Sequence, residues 1–170
     1  MAKKVLSFIE DLYNEFEFIY PYYRVQEAGY DVDVVASEPK EFIGEHGLES
    51  VKSNLSYDEI DVDDYEGLLI PGGYSPDKVR KHEEALDIVR EFNKQGKPIG
   101  MICHAPWVGV SAGIVDGKTL TSTASIKDDL ENAGVKWVDE APVVDGNIVT
   151  ARSPEDLPKY AKAFLDLLEK

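Results

Sequence analysis

The stretch Lys97-Pro98-Ile99-Gly100-Met101-Ile102-Cys103-His104-Ala105-Pro106-Trp107 constrains the fold of this chain more than any other. Ile99 to Ile102 is a short, mostly apolar run, with Gly96 and Pro98 before it, and reads as a buried strand. The run breaks off at Cys103-His104, and Pro106 stands where a helix would open. Proline suits a first helical turn because its missing N–H would have no partner there. Strand, corner and helix together lift one side chain to the tip of a tight turn, and that residue is the single cysteine of the sequence. Free N–H groups and the positive end of a helix dipole favour an anion there, and cysteines at helix N-termini can have pKa values lowered to roughly 3.5–7.5 from about 8.5. The same residues also fit a small buried hydrophobe ending an apolar strand, so the stretch alone leaves both open.

Around it, strand and helix patterns alternate. Val5–Ile9 reads as a first strand, followed by the acidic corner Glu10–Glu15 and a helix starting near Asn14, with Pro21 inside it and Gly29 as its stop. Asp31–Ala36 alternates as a strand, and residues 38–57 read as a small hairpin or surface excursion with His46 in a turn. Asp58, Glu59, Asp61, Asp63 and Asp64 lack the pattern of a calcium loop and read as a solvated acidic turn. Gly67–Ile70 is a strand ending in Pro71-Gly72-Gly73, and Glu83–Gln95 an amphipathic helix. A short strand at Thr119–Thr121 and a helix opened by a Ser125 cap follow. A hairpin about Asp145-Gly146 joins Trp137–Val144 to Asn147–Ala151. A last helix, capped at Ser153-Pro154, carries the stripe Leu157, Ala161, Phe164, Leu165 and Leu168.

This alternation predicts an α/β domain over residues 1–170, with a mostly parallel sheet and helices on both faces. In such sheets the ligand site lies beyond the carboxyl ends of the strands. Three separate strands end in the acidic corner, in Gly72-Gly73 and in Cys103-His104, so neighbouring placement would bring acids, backbone donors and a nucleophile to one edge. The expected oxyanion donors are the amides of Gly73 and His104. With three histidines and one cysteine, no ligand spacing supports a metal site, and no cofactor is expected. A lone cysteine fits a reducing, cytoplasmic setting. No signal peptide or membrane-spanning run is evident, and the net charge of −15 disfavours nucleic acid and anionic lipid as partners.

Pro-Gly-Gly at 71–73, Gly-Lys-Pro-Ile-Gly-Met-Ile-Cys-His-Ala-Pro at 96–106, Ser-Ile-Lys-Asp-Asp-Leu-Glu-Asn-Ala-Gly at 125–134 and Val-Val-Asp-Gly-Asn-Ile-Val-Thr-Ala-Arg at 143–152 closely resemble the PfpI family. These are intracellular proteases and protein deglycases related to class I glutamine amidotransferase-like domains. The resemblance implies a flavodoxin-like three-layer sandwich that forms homodimers, often assembled into hexamers. It also implies that Cys103 is the nucleophile at its elbow and His104 the adjacent histidine. An acid after Pro-Gly-Gly, which reaches that histidine from the neighbouring subunit, falls at Asp77. A glutamate that contacts the nucleophile falls, counting without gaps from Val5, at Asn14, with Glu15 next to it. Asparagine donates hydrogen bonds but is no general acid or base. Thr123 stands where many relatives carry an aromatic residue.

The resulting expectation is a cysteine-dependent hydrolase, acting on peptides through a thioester or on aldehyde-derived adducts through a hemithioacetal. The alternative is a redox-responsive stress protein or binding module whose thiolate oxidises without turnover.

Overall fold

The structure, a computed structural model, describes residues 2–48 and 50–170; Met1, in the N-terminal stretch read above, and Glu49, in the surface excursion, lie outside the described residues. In chain order the elements are β1 (Lys4–Phe8), α1 (Glu15–Glu27), β2 (Asp31–Ala36), β3 (Glu41–Ile43), β4 (Ser50–Lys52), β5 (Leu55–Ser56), β6 (Gly67–Ile70), α2 (Ser75–Val79) and α3 (Glu83–Lys94). Then follow β7 (Ile99–Ile102), α4 (Pro106–Ala112), β8 (Thr119–Leu120), α5 (Lys127–Asn132), β9 (Lys136–Trp137), β10 (Val143–Asp145), β11 (Ile148–Ala151) and α6 (Leu157–Leu168). The main sheet has the order β10-β11-β7-β6-β1-β2-β5, parallel throughout except for the β10–β11 hairpin. β7, β6 and β1 are therefore neighbours, which places the three strand ends singled out above side by side.

Strands buried on both faces are uniformly apolar, as β6 and β7 are. On one face α6 buries Leu157, Tyr160, Ala161, Phe164 and Leu165 against Val5, Leu69, Ile102 and Val149, with Val25 of α1 joining them. Leu168 is only partly buried at its edge. On the other face α3 and α4 cover Leu6, Phe8, Leu68, Ile70, Ile99 and Met101 with Ile88, Val89, Phe92 and Val108. Gly100 is required by close packing, because an added Cβ would run into the Tyr160 hydroxyl. These are the layers of a flavodoxin-like α/β sandwich.

The structure corrects several local expectations. The strand at Thr119 pairs with Lys136–Trp137 in a separate two-stranded sheet, so Trp137 belongs there and the hairpin about Asp145-Gly146 starts only at Val143. Ser125 and Ser153 make no side-chain cap; each sits at or before a short 3₁₀ turn (Ala124–Ile126 and Pro154–Asp156) that leads into its helix. The excursion is a β3–β4 hairpin with His46 in its turn, as expected. Among the described residues no helix is long and apolar enough to cross a membrane.

Candidate active site

The site begins with the way two loops are stitched together. After β1 the backbone turns through Leu12, at φ 64°, and lies against the end of β6. The Asn14 N–H donates to the Gly72 carbonyl (3.1 Å) and the Tyr74 N–H to the Leu12 carbonyl (2.8 Å). Gly73 holds φ 75°, and a Cβ there would collide with the Tyr13–Asn14 backbone. A Cβ on Gly72 would strike both the Glu17 carboxyl and Cys103. The glycine pair thus allows a side chain from α1 and one from the β7–α4 corner to meet.

Cys103 occupies that corner at φ 62°, a left-handed conformation that costs a non-glycine residue of order 1–3 kcal/mol and is a feature of functional sites. Its own N–H donates to Ala151 of β11 at 2.9 Å and its carbonyl accepts from Thr123 at 3.1 Å, so the strain is held from both sides. The backbone N–H groups of His104 and Gly73 lie near its sulfur and favour its thiolate. His104 lies with Nδ1 3.3 Å from Sγ and Nε2 3.3 Å from the Ser125 hydroxyl, its ring against Trp107. Burial lowers its pKa, which favours the neutral imidazole.

The acid beside the sulfur is Glu17, and this corrects the assignment to Asn14. Glu17 is only 2% exposed. Its Oε1 accepts from the Gly72 N–H at 2.9 Å, while the buried Oε2 finds no partner of ordinary geometry; the thiol of Cys103 is the polar group the carboxyl faces. Burial raises the Glu17 pKa to about 8. Asn14 instead caps α1, accepting from the Glu17 N–H at 3.1 Å and donating to Glu45 at 2.6 Å. Counting without gaps placed the acid too early: helix periodicity brings round the residue three positions after the cap. Glu15, the other candidate, points away and binds the excursion through the His46 ring (2.8 Å) and the N–H groups of His46 (2.9 Å) and Leu48 (3.2 Å).

The thiol also departs from expectation. Burial first, and the charge of Glu17 second, push its pKa up to about 12, outweighing the two backbone N–H groups that favour the thiolate. The two shifts belong to one pair, since Glu17 repels the thiolate only while ionised. Protonated, as burial favours near neutrality, it becomes a donor to sulfur. Asp77 is exposed on α2, and the side chains hydrogen-bonded to His104 within the chain are Cys103 and Ser125. The sequence does not mark Ser125, Glu17 or Glu45 as site residues; in α1 the acids Glu15 and Glu17 are buried while Phe16, Tyr20 and Tyr23 are exposed, the reverse of an amphipathic pattern.

A parallel α/β sandwich with a strained cysteine at a strand–helix elbow, two converging amides and a buried glutamate defines a class of thiol-centred proteins. A sequence model of the DJ-1/PfpI family matches residues 3–167, and the chain belongs to that family. It is 41% identical over 166 residues to Deglycase PfpI of Pyrococcus furiosus, covering 98% of this chain and 99% of that protein. It is 38% identical over 170 residues to YraA of Bacillus subtilis, which bears a provisional cysteine protease name (99% of this chain, 100% of the other). Among solved structures, Drosophila melanogaster DJ-1beta superposes with a TM-score of 0.91 at 28% identity, covering 100% of this chain and 92% of that one.

Proposed function

We propose that this protein is a cysteine-dependent hydrolase acting on aldehyde-derived adducts, the deglycase-like branch of its family. The observation that carries this is the buried, protonatable Glu17 carboxyl, whose Oε1 is held by the Gly72 N–H while its other oxygen stays free beside Cys103, because carbonyl-adduct chemistry needs a group that both gives and takes a proton. With methylglyoxal as the simplest case, the Cys103 sulfur adds to the aldehyde carbon and the carbonyl oxygen takes a proton, giving a hemithioacetal. The Gly73 and His104 N–H groups stabilise the negative oxygen as it develops. Glu17 then moves a proton from the sulfur-bearing carbon to the adjacent one, through an enediol, which leaves a thioester. Water hydrolyses it to lactate and frees the thiol.

Relatives named deglycase support this choice. The name of the Bacillus relative keeps peptide hydrolysis as the second reading, with neutral His104 beside the sulfur as the group that would take the thiol proton and return it to the leaving amine. The redox-responsive alternative is less well supported, because it needs only an oxidisable sulfur and gives no role to the buried Glu17 carboxyl held beside it. Self-association belongs to the same proposal: a second copy would bring its Asp77 to His104, and the exposed Phe16, Tyr20 and Tyr23 of α1 offer apolar surface for it to cover. Incubation with methylglyoxal, a methylglyoxal-treated peptide and a chromogenic peptide separates the readings. We expect lactate release that Cys103→Ser abolishes. Turnover of the chromogenic peptide alone would select peptidase activity; no turnover, or full activity in Cys103→Ser, would overturn the hydrolase assignment.

A further inference from the structure

Glu45 sits at the turn of the β3–β4 hairpin and is held over the site from two directions. Its backbone N–H donates to the Tyr13 carbonyl at 2.9 Å, and its carboxylate accepts from the Asn14 side chain at 2.6 Å. Asn14 is in turn bonded through its N–H to Gly72, the residue lodged between Glu17 and Cys103. The hairpin turn cannot drift, because Glu15 binds the N–H groups of His46 and Leu48 and packs where Gly44 has no side chain. The Glu45 side chain keeps 21% of its surface open to solvent, so a ligand can reach it. Its nearest cationic neighbour is the His46 ring, 3.9 Å away and already engaged by Glu15 at 2.8 Å.

We propose that Glu45 is a specificity-determining residue of this site, a fixed carboxylate on its rim that favours substrates carrying a cationic group beside the reacting carbonyl. The charge of Glu45 is felt at Cys103, Glu17 and His104 alike. A negative charge there opposes formation of the thiolate, so for an anionic or neutral substrate it only hinders. A bound cation, such as an amine or guanidinium on the adducted molecule, cancels that charge as the nucleophile forms. Discrimination between oppositely charged substrates therefore arises at the step in which sulfur attacks.

This inference rests on Cys103 being the nucleophile of the proposed hydrolase, and the test separates the two. Cys103 is modified at pH 8 by methanethiosulfonates that are cationic (aminoethyl), neutral (propyl) and anionic (sulfonatoethyl). Each forms a mixed disulfide on sulfur and releases methanesulfinate. The ratio of cationic to anionic rates in Glu45→Gln should fall by on the order of tenfold, the change expected when one nearby charge in a partly screened site is removed. Glu45→Asp should retain the ratio, and Glu45→Lys should invert it. Asp166→Asn, which makes the same change in net charge on exposed α6, should leave it unchanged. A ratio that Glu45→Gln does not move, or that Asp166→Asn lowers equally, overturns the assignment. Labelling with the expected ratios but no turnover of any carbonyl substrate would count against the hydrolase and leave the role of Glu45 standing. Failure of the neutral reagent to label Cys103 would overturn both.

Discussion

In the proposed reaction the proton carrier is Glu17, and its environment makes quantitative demands. Replacing it with glutamine removes the proton carrier and the charge that opposes the thiolate. Glu17→Gln should therefore lose about 10²–10⁴-fold in carbonyl turnover, while the alkylation midpoint of Cys103 moves down in pH; a pH series of iodoacetamide rates reads the second effect without any substrate. The same carboxyl links stability to pH. Its folded pKa of about 8 lies above its ordinary value of 4.5, so the folded state binds the proton more tightly. Its contribution is fully present below pH 4.5 and is lost as pH rises through 8. Urea midpoints should show wild type losing stability relative to Glu17→Gln across that window, and a constant difference would refute the buried, protonated carboxyl. Cys103 itself was legible from strand–corner–helix punctuation. Its pKa was not, because desolvation by neighbours distant in sequence outweighs the local helix terminus.

At the scale of elements, α1 supplies three functions from successive faces: Asn14 caps it, Glu15 holds the β3–β4 hairpin and Glu17 enters the site. Glu15→Ala leaves the N–H groups of His46 and Leu48 without that acceptor, at about 1–3 kcal/mol for each group left unsatisfied. We expect a lowered melting temperature together with protease cleavage within residues 43–50. In contrast, Phe164→Ala in α6, buried against Gly67 at the end of β6 opposite Gly72, should cost about 3–5 kcal/mol while any protein that remains folded keeps its Cys103 labelling rate. Helix starts and apolar stripes are readable because they repeat at a fixed period. Which of three neighbouring side chains faces Cys103 depends on where the helix lies against β6 and β7, and counting residues does not give that.

For the whole molecule, the proposed assembly has a direct consequence. If Asp77 acts across a subunit interface, a protein carrying Cys103→Ala and one carrying Asp77→Ala, each impaired alone, should regain activity when unfolded and refolded together. Statistical mixing of dimers predicts roughly a quarter of the wild-type rate. No gain on mixing would confine Asp77 to its own chain or remove it from the site.

The sequence by itself determined the α/β alternation, the strand–elbow–helix that presents Cys103, the glycine pair opposite it and the likeness to one family, because each is written in local pattern. Only the tertiary structure decided which acid meets the sulfur, that Asn14 caps a helix and binds Glu45, and that Ser125 reaches His104. Setting aside the cap, those contacts span 21 residues of chain between His104 and Ser125, 31 between Asn14 and Glu45, and 86 between Glu17 and Cys103. Burial, which sets the protonation of Glu17 and Cys103, is a property of everything packed around them. The elbow began as a cysteine at a corner; the fold sets a buried glutamate beside it and ties a second carboxylate, Glu45, to the same loop through Asn14.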